Sequence, residues 1–293
     1  RTHALGMLHA LTLVTLFLTF DLVMFGAFTR LTDSGLGCPD WPGCYGNASP
    51  LGASSEIDAA QKAMPTGPVT PGKAWVEMVH RYLAMGVGVL ITVLAGAAWL
   101  GSRARELGGG WHKALPLLTF VWVCVQGAFG ALTVTMKLFP AIVSLHLLGG
   151  YVLLALLTVQ AYLIGPRVPL REVFPSGLRT LVALALALLV VQAMSGAWVS
   201  TNYAVLACTE FPRCQDSWWP TMDFTKGFEI WRPLGFDAAG AHISFQALTA
   251  IHFTHRLLAM FTLAVLAWLA WRLGRHDTTQ RLARWLGGLA TLQ

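Results

Sequence analysis

Glu77-Met78-Val79-His80-Arg81 places three ionisable side chains at the head of an apolar run that extends from about Ala74 to Leu100. In a bilayer such groups are expensive, so by default they mark a functional site. Glu77 and His80 are three apart and share one helical face. A neutral imidazole can ligate a metal, and the carboxylate beside it can carry a proton or orient the ligand. His146 lies in a later apolar run, and His255-Arg256 repeats the His80-Arg81 pair in another. Three chemistries fit these types. Glu-x-x-His on helices is used by di-iron carboxylate bundles, two imidazoles suit the axial positions of a haem iron, and an intramembrane histidine can be a plain interhelical contact. A di-iron site needs about four carboxylates and two such motifs. Glu77 is the only acid near the depth of the histidines, and Asp21 has no Glu-x-x-His of its own. Ligand count removes the di-iron reading.

The elements that must position these residues are membrane helices. Hydrophobic residues make up 55% of the chain and charged residues 12%, and mean hydropathy is +0.59. Soluble domains carry about 25% charged residues. A net charge of +6 does not indicate nucleic acid, because the charges fall between apolar runs rather than on a basic face. A span needs about 20 apolar residues, and six segments qualify: roughly 5–28, 76–100, 115–136, 141–164, 178–200 and 244–271. The first reads as a span rather than a leader, since no small-residue cleavage pattern follows it. A seventh starts near Leu282 and is cut short at Gln293. Alternate connections are basic: Arg1, Arg103, Arg105, Lys113, Arg167, Arg171, Arg179, Arg272, Arg275, Arg281 and Arg284 face only Glu106, Glu172 and Asp277. This asymmetry puts the N-terminus in the cytoplasm and the long loops, about 29–75 and 201–243, outside.

His80 and His146 each lie a few residues into helices that start from the outside. At about 1.5 Å rise per residue they reach similar depth and suit a pair of axial haem ligands facing a bundle interior. Arg81 and Arg256 follow their histidines directly and suit a haem propionate or a lipid headgroup. Four of the five cysteines stand in the long loops as Cys38/Cys44 and Cys208/Cys214. In an oxidising compartment these spacings allow two local disulfides, serving as loop staples or as redox groups. Cys124, inside the third span, reads as buried packing. Trp41, Trp218, Trp219 and Trp231 read as an interfacial belt or as a lid over an apolar ligand.

An internal repeat ties these features together. Gly26-Ala27-Phe28-Thr29 closes the first span as Gly196-Ala197-Trp198-Val199-Ser200-Thr201 closes the fifth. Both cysteines recur 170 residues on, from 38 to 208 and from 44 to 214, and the His-Arg pair recurs 175 on, from 80 to 255. His252 then takes the position of Glu77, so the acid of the first half is replaced by an imidazole in the second. The fold class is an all-α polytopic membrane protein with two pseudo-symmetric four-helix bundles in tandem, 1–170 and 171–293. Eight helices are expected, with most of the seventh and all of the last absent from this sequence.

Thr29-Arg30-Leu31-Thr32-Asp33-Ser34-Gly35-Leu36 with Cys38 and Cys44, then Glu77-x-x-His80-Arg81, His146, Cys208 and Cys214, and His255-Arg256, resembles the heme A synthase family. The resemblance covers essentially the whole chain. It implies a bacterial inner-membrane enzyme that oxidises the C8 methyl of heme O to a formyl group for terminal oxidases. Its catalytic residues would be Glu77, His80 and His146, with heme O as substrate in the first half. It implies a resident b-type haem (heme b) in the second half, held by His255, with Arg256 and Arg81 as cofactor contacts. Its partners would include membrane lipid, heme O synthase, terminal-oxidase assembly factors and further copies of the chain. Two rivals share parts of the pattern: a bis-histidine haem cytochrome coupled to quinone, and a quinone-coupled thiol–disulfide oxidoreductase. A transporter also permits parallel repeats, but the matched histidines and local cysteine pairs argue against it.

Overall fold

Three of the long helices start on a side-chain cap or a proline ahead of their apolar runs. Thr70 Oγ1 accepts the Lys73 amide at 3.2 Å, and Pro71 takes the first helical position, where its missing N–H costs nothing. Pro140 starts a second helix in the same way, and Ser244 caps a third by accepting the Ala247 amide at 3.2 Å. The computed structural model describes residues 2–100, 110–165 and 176–292. Its elements are α1 (Thr2–Leu31), α2 (Ser54–Ala63), α3 (Pro71–Leu100), α4 (Trp111–Thr135), α5 (Pro140–Ile164), α6 (Ser176–Thr201), α7 (Phe224–Gly227), α8 (Phe245–Gly274) and α9 (Gln280–Leu292). The described residues contain isolated bridges but no strands.

Six helices are long and apolar enough to cross a membrane: Gly6–Leu31, Pro71–Leu100, Lys113–Thr135, Pro140–Ile164, Gly177–Thr201 and Phe245–Gly274. They are the six runs expected from sequence, with shifted ends. The second begins five residues before position 76, because the Thr70 cap adds a polar first turn that hydropathy does not see. The first continues past Phe28 to Leu31, and Thr29 and Thr32 turn their hydroxyls back onto the carbonyls of Phe25 and Phe28. Of the residues used to orient the chain, Arg1, Arg103, Arg105, Glu106, Arg167, Arg171 and Glu172 lie outside the described residues. So do the side chains of His3 and His112.

The chain divides into two compact units, Arg1–Val168 and Pro169–Gln293. In the first, α1 packs on α3 and α5, and α4 packs on the same two. α3 and α5 therefore face each other diagonally across a four-helix bundle and run in the same direction. Its apolar core joins Val87, Ile91 and Leu94 of α3 to Leu153 and Leu157 of α5, closed by Leu22, Phe120 and Trp122. Thr12, Thr15 and Thr19 are buried along α1, each hydroxyl satisfied by the carbonyl four residues back. In the second unit, α6 packs on α8 through Leu178, Leu181, Ala185, Val265, Leu266, Leu269 and Leu273, and α9 adds Ala283 and Leu286. The outer faces of the long helices carry large exposed apolar side chains such as Phe17, Val89, Leu118, Leu186 and Phe261. Cys124 lies on such an exposed face of α4 rather than in the core expected for it. Its position in an apolar run did not reveal which side of the helix it occupies.

Each long loop folds back over its own unit. Cys44-Tyr45-Gly46-Asn47 forms a two-residue turn with positive φ at Tyr45 (49°) and Gly46 (74°), and Cys214-Gln215-Asp216-Ser217 repeats it with 55° and 58°. Asp40 holds the first turn by accepting the amides of Tyr45 at 2.6 Å and Gly46 at 2.7 Å. Glu210 does the same for the Asp216 amide. The second loop carries a further clamp, in which Asp237 accepts Lys226 Nζ at 2.9 Å and the amides of Ala239 and Ala241. These donors hold the Asp237 carboxyl below its ordinary value of 3.8, the Lys226 bond being the largest cause. A carboxyl depressed in the folded state stabilises above its unfolded pKa and loses that contribution as pH falls. Pepsin should therefore cut segment 224–243 faster as pH falls below about 4. Asp237→Asn should be cut fast throughout and abolish the difference; equal pH dependence in both proteins would contradict this.

Candidate functional site

In the first unit the site grows from α3. Glu77 and Arg81, one turn apart, form an ion pair at 2.5 Å, with side chains only 5% and 10% exposed. The second carboxylate oxygen of Glu77 accepts the Cys38 amide at 2.8 Å. Arg81 Nη1 donates to the carbonyls of Asp40 at 2.8 Å, Pro42 at 3.2 Å and Gly43 at 2.5 Å. Cys38 and Cys44 are joined by a disulfide, S–S 2.07 Å, and both are buried with Ala53, Ile57, Ala74 and Met78. Gly37 lies against the start of α3, where an added Cβ would stand 2.5 Å from the Lys73 backbone. The loop, its disulfide and the polar head of α3 form one packed piece. Arg81, expected from sequence to reach a propionate or a headgroup, has its guanidinium engaged inside this piece.

His80 is the next turn of the same face. Its ring lies against Gly26 of α1, where an added Cβ would stand 3.0 Å from Cε1, and stacks on Phe25 with centroids 6.3 Å apart and planes 9° apart. His146 of α5 lies against Gly130 of α4 in the same manner, an added Cβ standing 3.4 Å from its Cε1. Gln126 donates to the His146 carbonyl at 2.5 Å, and its side chain fills the space over Gly149. Both histidines are half-buried, and the Nδ1 of each is buried with no hydrogen-bond partner among the described residues. Both sit at the loop end of the core, on diagonal helices that run the same way. The described residues contain no cluster of three or more His, Cys, Asp or Glu side chains able to hold a metal ion. Two isolated imidazoles instead fit a group that carries its own equatorial ligands and needs protein only above and below, which is the donor set of a haem.

The second unit repeats this plan on α6 and α8. His255 lies against Gly196, an added Cβ standing 3.1 Å from its Cε1. Arg256 donates to the carbonyls of Cys208 at 2.7 Å, Arg213 at 3.3 Å and Glu210, and Cys208–Cys214 is a disulfide with S–S 2.01 Å. Three differences separate the units. His252 replaces Glu77, and its Nε2 accepts Arg256 Nε at 3.2 Å, so that nitrogen is occupied by the arginine. Ser195 stands where Phe25 stands, and its Oγ lies 2.8 Å from His255 Nδ1. Gln192 stands where Leu22 stands, with its amide nitrogen 3.3 Å from the same ring nitrogen. Sequence reading missed Ser195, Gln192, Phe25 and Leu22, although they sit next to the Gly26 and Gly196 motifs that revealed the repeat. It also missed Asp40 and Glu210, the acids inside the two cysteine loops.

Long apolar helices define a multi-pass membrane protein, and its half-buried imidazoles set against glycines of neighbouring helices fit the donor set of a haem. The family model described as COX15-CtaA, cytochrome oxidase assembly protein, matches residues 9–293. The chain belongs to this family of cytochrome oxidase assembly proteins. It is 37% identical over 289 residues to a protein of Shewanella oneidensis named heme A synthase, covering 96% of this chain and 83% of that one. Proteins of the same name from Halalkalibacterium halodurans and Exiguobacterium sibiricum are 29% and 28% identical, over 70% and 92% of this chain and 63% and 87% of their own.

The Arg81 clamp gives a direct test. Removing one member of a buried ion pair strands the other charge, at about 3–5 kcal/mol. Arg81→Gln should lower thermal stability in detergent by an amount of that order and expose segment 38–47 to protease. Arg81→Lys should recover only part of the loss, because one ammonium cannot serve the carboxylate and three carbonyls together. A fully stable Arg81→Gln protein would show that the clamp is dispensable.

Proposed function

We propose that this chain is a heme A synthase, oxidising the C8 methyl of heme O to a formyl group to supply heme A to terminal oxidases. The observation that carries the reading is the mirrored seat of a histidine against a glycine, His80 on Gly26 and His255 on Gly196, in a chain of this family. The first half, 1–170, would bind heme O as substrate through His80 and His146. The second, 171–293, would keep a b-type haem as resident cofactor through His255. The protein would lie in the bacterial inner membrane with its N-terminus cytoplasmic and its long loops periplasmic. Heme O synthase, oxidase assembly factors and further copies of the chain are the partners this role implies.

Methyl to formyl is a four-electron oxidation; with the oxygen written as coming from water, it releases four protons and passes four electrons to an electron acceptor outside the chain. The resident haem, when bound, supplies one-electron chemistry that no side chain offers. The chain's own residues would supply placement and proton handling. His80 and His146 would fix the substrate by its iron, and Gly26 and Gly130 let the rings sit close to the backbone of their neighbours. Phe25 and the apolar core beneath would keep water from the macrocycle. Glu77 would take up protons released at the methyl carbon, and Arg81 would compensate its charge once each proton has left. Cys38–Cys44 would hold the loop over this acid, because the Cys38 amide is itself one of its donors.

In cells that make heme O, His80→Ala and His146→Ala should abolish heme A formation, and Glu77→Ala should do so while leaving the b-type spectrum of the purified protein intact. His255→Ala should remove that spectrum. Survival of the b-type absorbance in His255→Ala would refute the assignment of the halves. Haem-loaded wild-type protein that yields no heme A on pigment extraction would favour the quinone-linked cytochrome instead. Loss of activity in Cys38→Ser with indifference to His80→Ala would favour the thiol–disulfide enzyme.

A further inference from the structure

The two histidines seated on glycines differ in what holds their inner nitrogen. Ser195 Oγ donates its single hydrogen to the Gln192 carbonyl at 2.9 Å. Its 2.8 Å contact with His255 Nδ1 then suits a ring that donates to the hydroxyl oxygen. In that tautomer the proton sits on Nδ1, and the lone pair of Nε2 is left for a ligand. Gln192 lies near both ring nitrogens at 3.3 and 3.5 Å, and its own Oε1 has no partner among the described residues; with the amide turned over, that oxygen accepts from the same Nδ1–H. In the first unit the corresponding positions are Phe25 and Leu22. His80 meets a stacked ring, and its Nδ1 is buried with no partner among the described residues. His146 Nδ1 is likewise without a hydrogen-bond partner among the described residues, and the Gln126 side chain donates to the His146 carbonyl.

A ligating imidazole whose second nitrogen donates to an acceptor is a stronger and better-oriented ligand than one without, and loss of such a partner weakens metal affinity about 10–100-fold. We infer that Ser195 is the positioning residue that makes His255 a permanent iron ligand. Phe25, at the same place in the repeat, leaves His80 a weaker ligand suited to a macrocycle that must enter as substrate and leave as product. The inference rests on the reading of the halves given above, and it adds the residue pair that sets holding against release. A site that turns over cannot bind its product as tightly as a site that keeps its cofactor. The apolar pair Leu22 and Phe25 against the polar pair Gln192 and Ser195 produces that difference from one shared backbone plan.

The test uses the purified protein with its haem and reads retention and redox behaviour rather than turnover. Ser195→Ala should speed transfer of the b-type haem to excess apomyoglobin by about 10–100-fold. It should also move the haem's midpoint potential to a more positive value, because a less basic imidazole stabilises the ferric state less. Ser195→Thr keeps a hydroxyl and should restore both. Phe25→Ser, in the other half, should make the protein co-purify with more haem per chain when expressed in cells that make heme O. Unchanged potential and transfer rate in Ser195→Ala, alongside loss of the haem in His255→Ala, would overturn the inference and leave the proposed function standing. Retention of the haem in His255→Ala would instead fell the underlying reading. Should Ser195→Ala fail to accumulate, the Phe25→Ser haem content decides alone, and an unchanged content would count against the inference.

Discussion

The guanidinium of Arg81 is the interaction on which the head of the first bundle depends. It lies among the carbonyls of a loop that has little regular hydrogen bonding of its own and neutralises the one acid buried beneath that loop. Neither partner is tolerable alone: a buried carboxylate without the arginine is a bare charge, and the arginine without carbonyls is an unsatisfied fork of donors. The Cys38 amide closes the circuit by donating to the other oxygen of Glu77. The disulfide, the turn at Tyr45 and Gly46, and the first turns of α3 are therefore set by one electrostatic knot. His80, one residue before Arg81 on the same rigid helix, inherits its place from it.

Arg256 shows that the knot is a unit of design, because the second half keeps the arginine and its carbonyls while exchanging the acid. Glu210 and Arg213 occupy the places of Asp40 and Gly43, and their carbonyls still receive the guanidinium. His252 accepts Arg256 Nε where Glu77 accepted Arg81. A neutral acceptor suffices to orient an arginine; a carboxylate is needed only where a proton must be taken up or a charge balanced. The exchange keeps the scaffold of the arginine clamp and withdraws the acid from one of the two copies.

Much of this was legible in the sequence. The six spans, the two cysteine pairs, the depth-matched histidines and the offset of 170 residues all follow from spacing and hydropathy, which record one-dimensional periodicity well. The polar first turn of α3 was not legible, because a threonine cap and an N-terminal proline lie outside any apolar count. Nor was the face of α4 that carries Cys124, since a helix apolar all round gives no phase. The target of Arg81 was missed for a different reason. Apart from Glu77 one turn earlier, whose spacing was readable, its partners are backbone carbonyls of residues 40, 42 and 43, and no side-chain pattern announces a carbonyl.

The residues that distinguish the halves were hidden by the motif that exposed the repeat. Gly26 and Gly196 are conspicuous because both backbones must let an imidazole approach, and any side chain there would strike the ring. Such a constraint preserves glycine in both copies and says nothing about their difference. Difference is free to appear one residue and one helical turn earlier, where Phe25 and Leu22 of the first unit correspond to Ser195 and Gln192 of the second. A duplicated scaffold can thus hold two chemically similar ligands at two affinities by changing only what contacts the far nitrogen of the histidine. If His80 and His255 ligate iron as proposed, the shared residues place them and the unshared ones set how long each ligand is held.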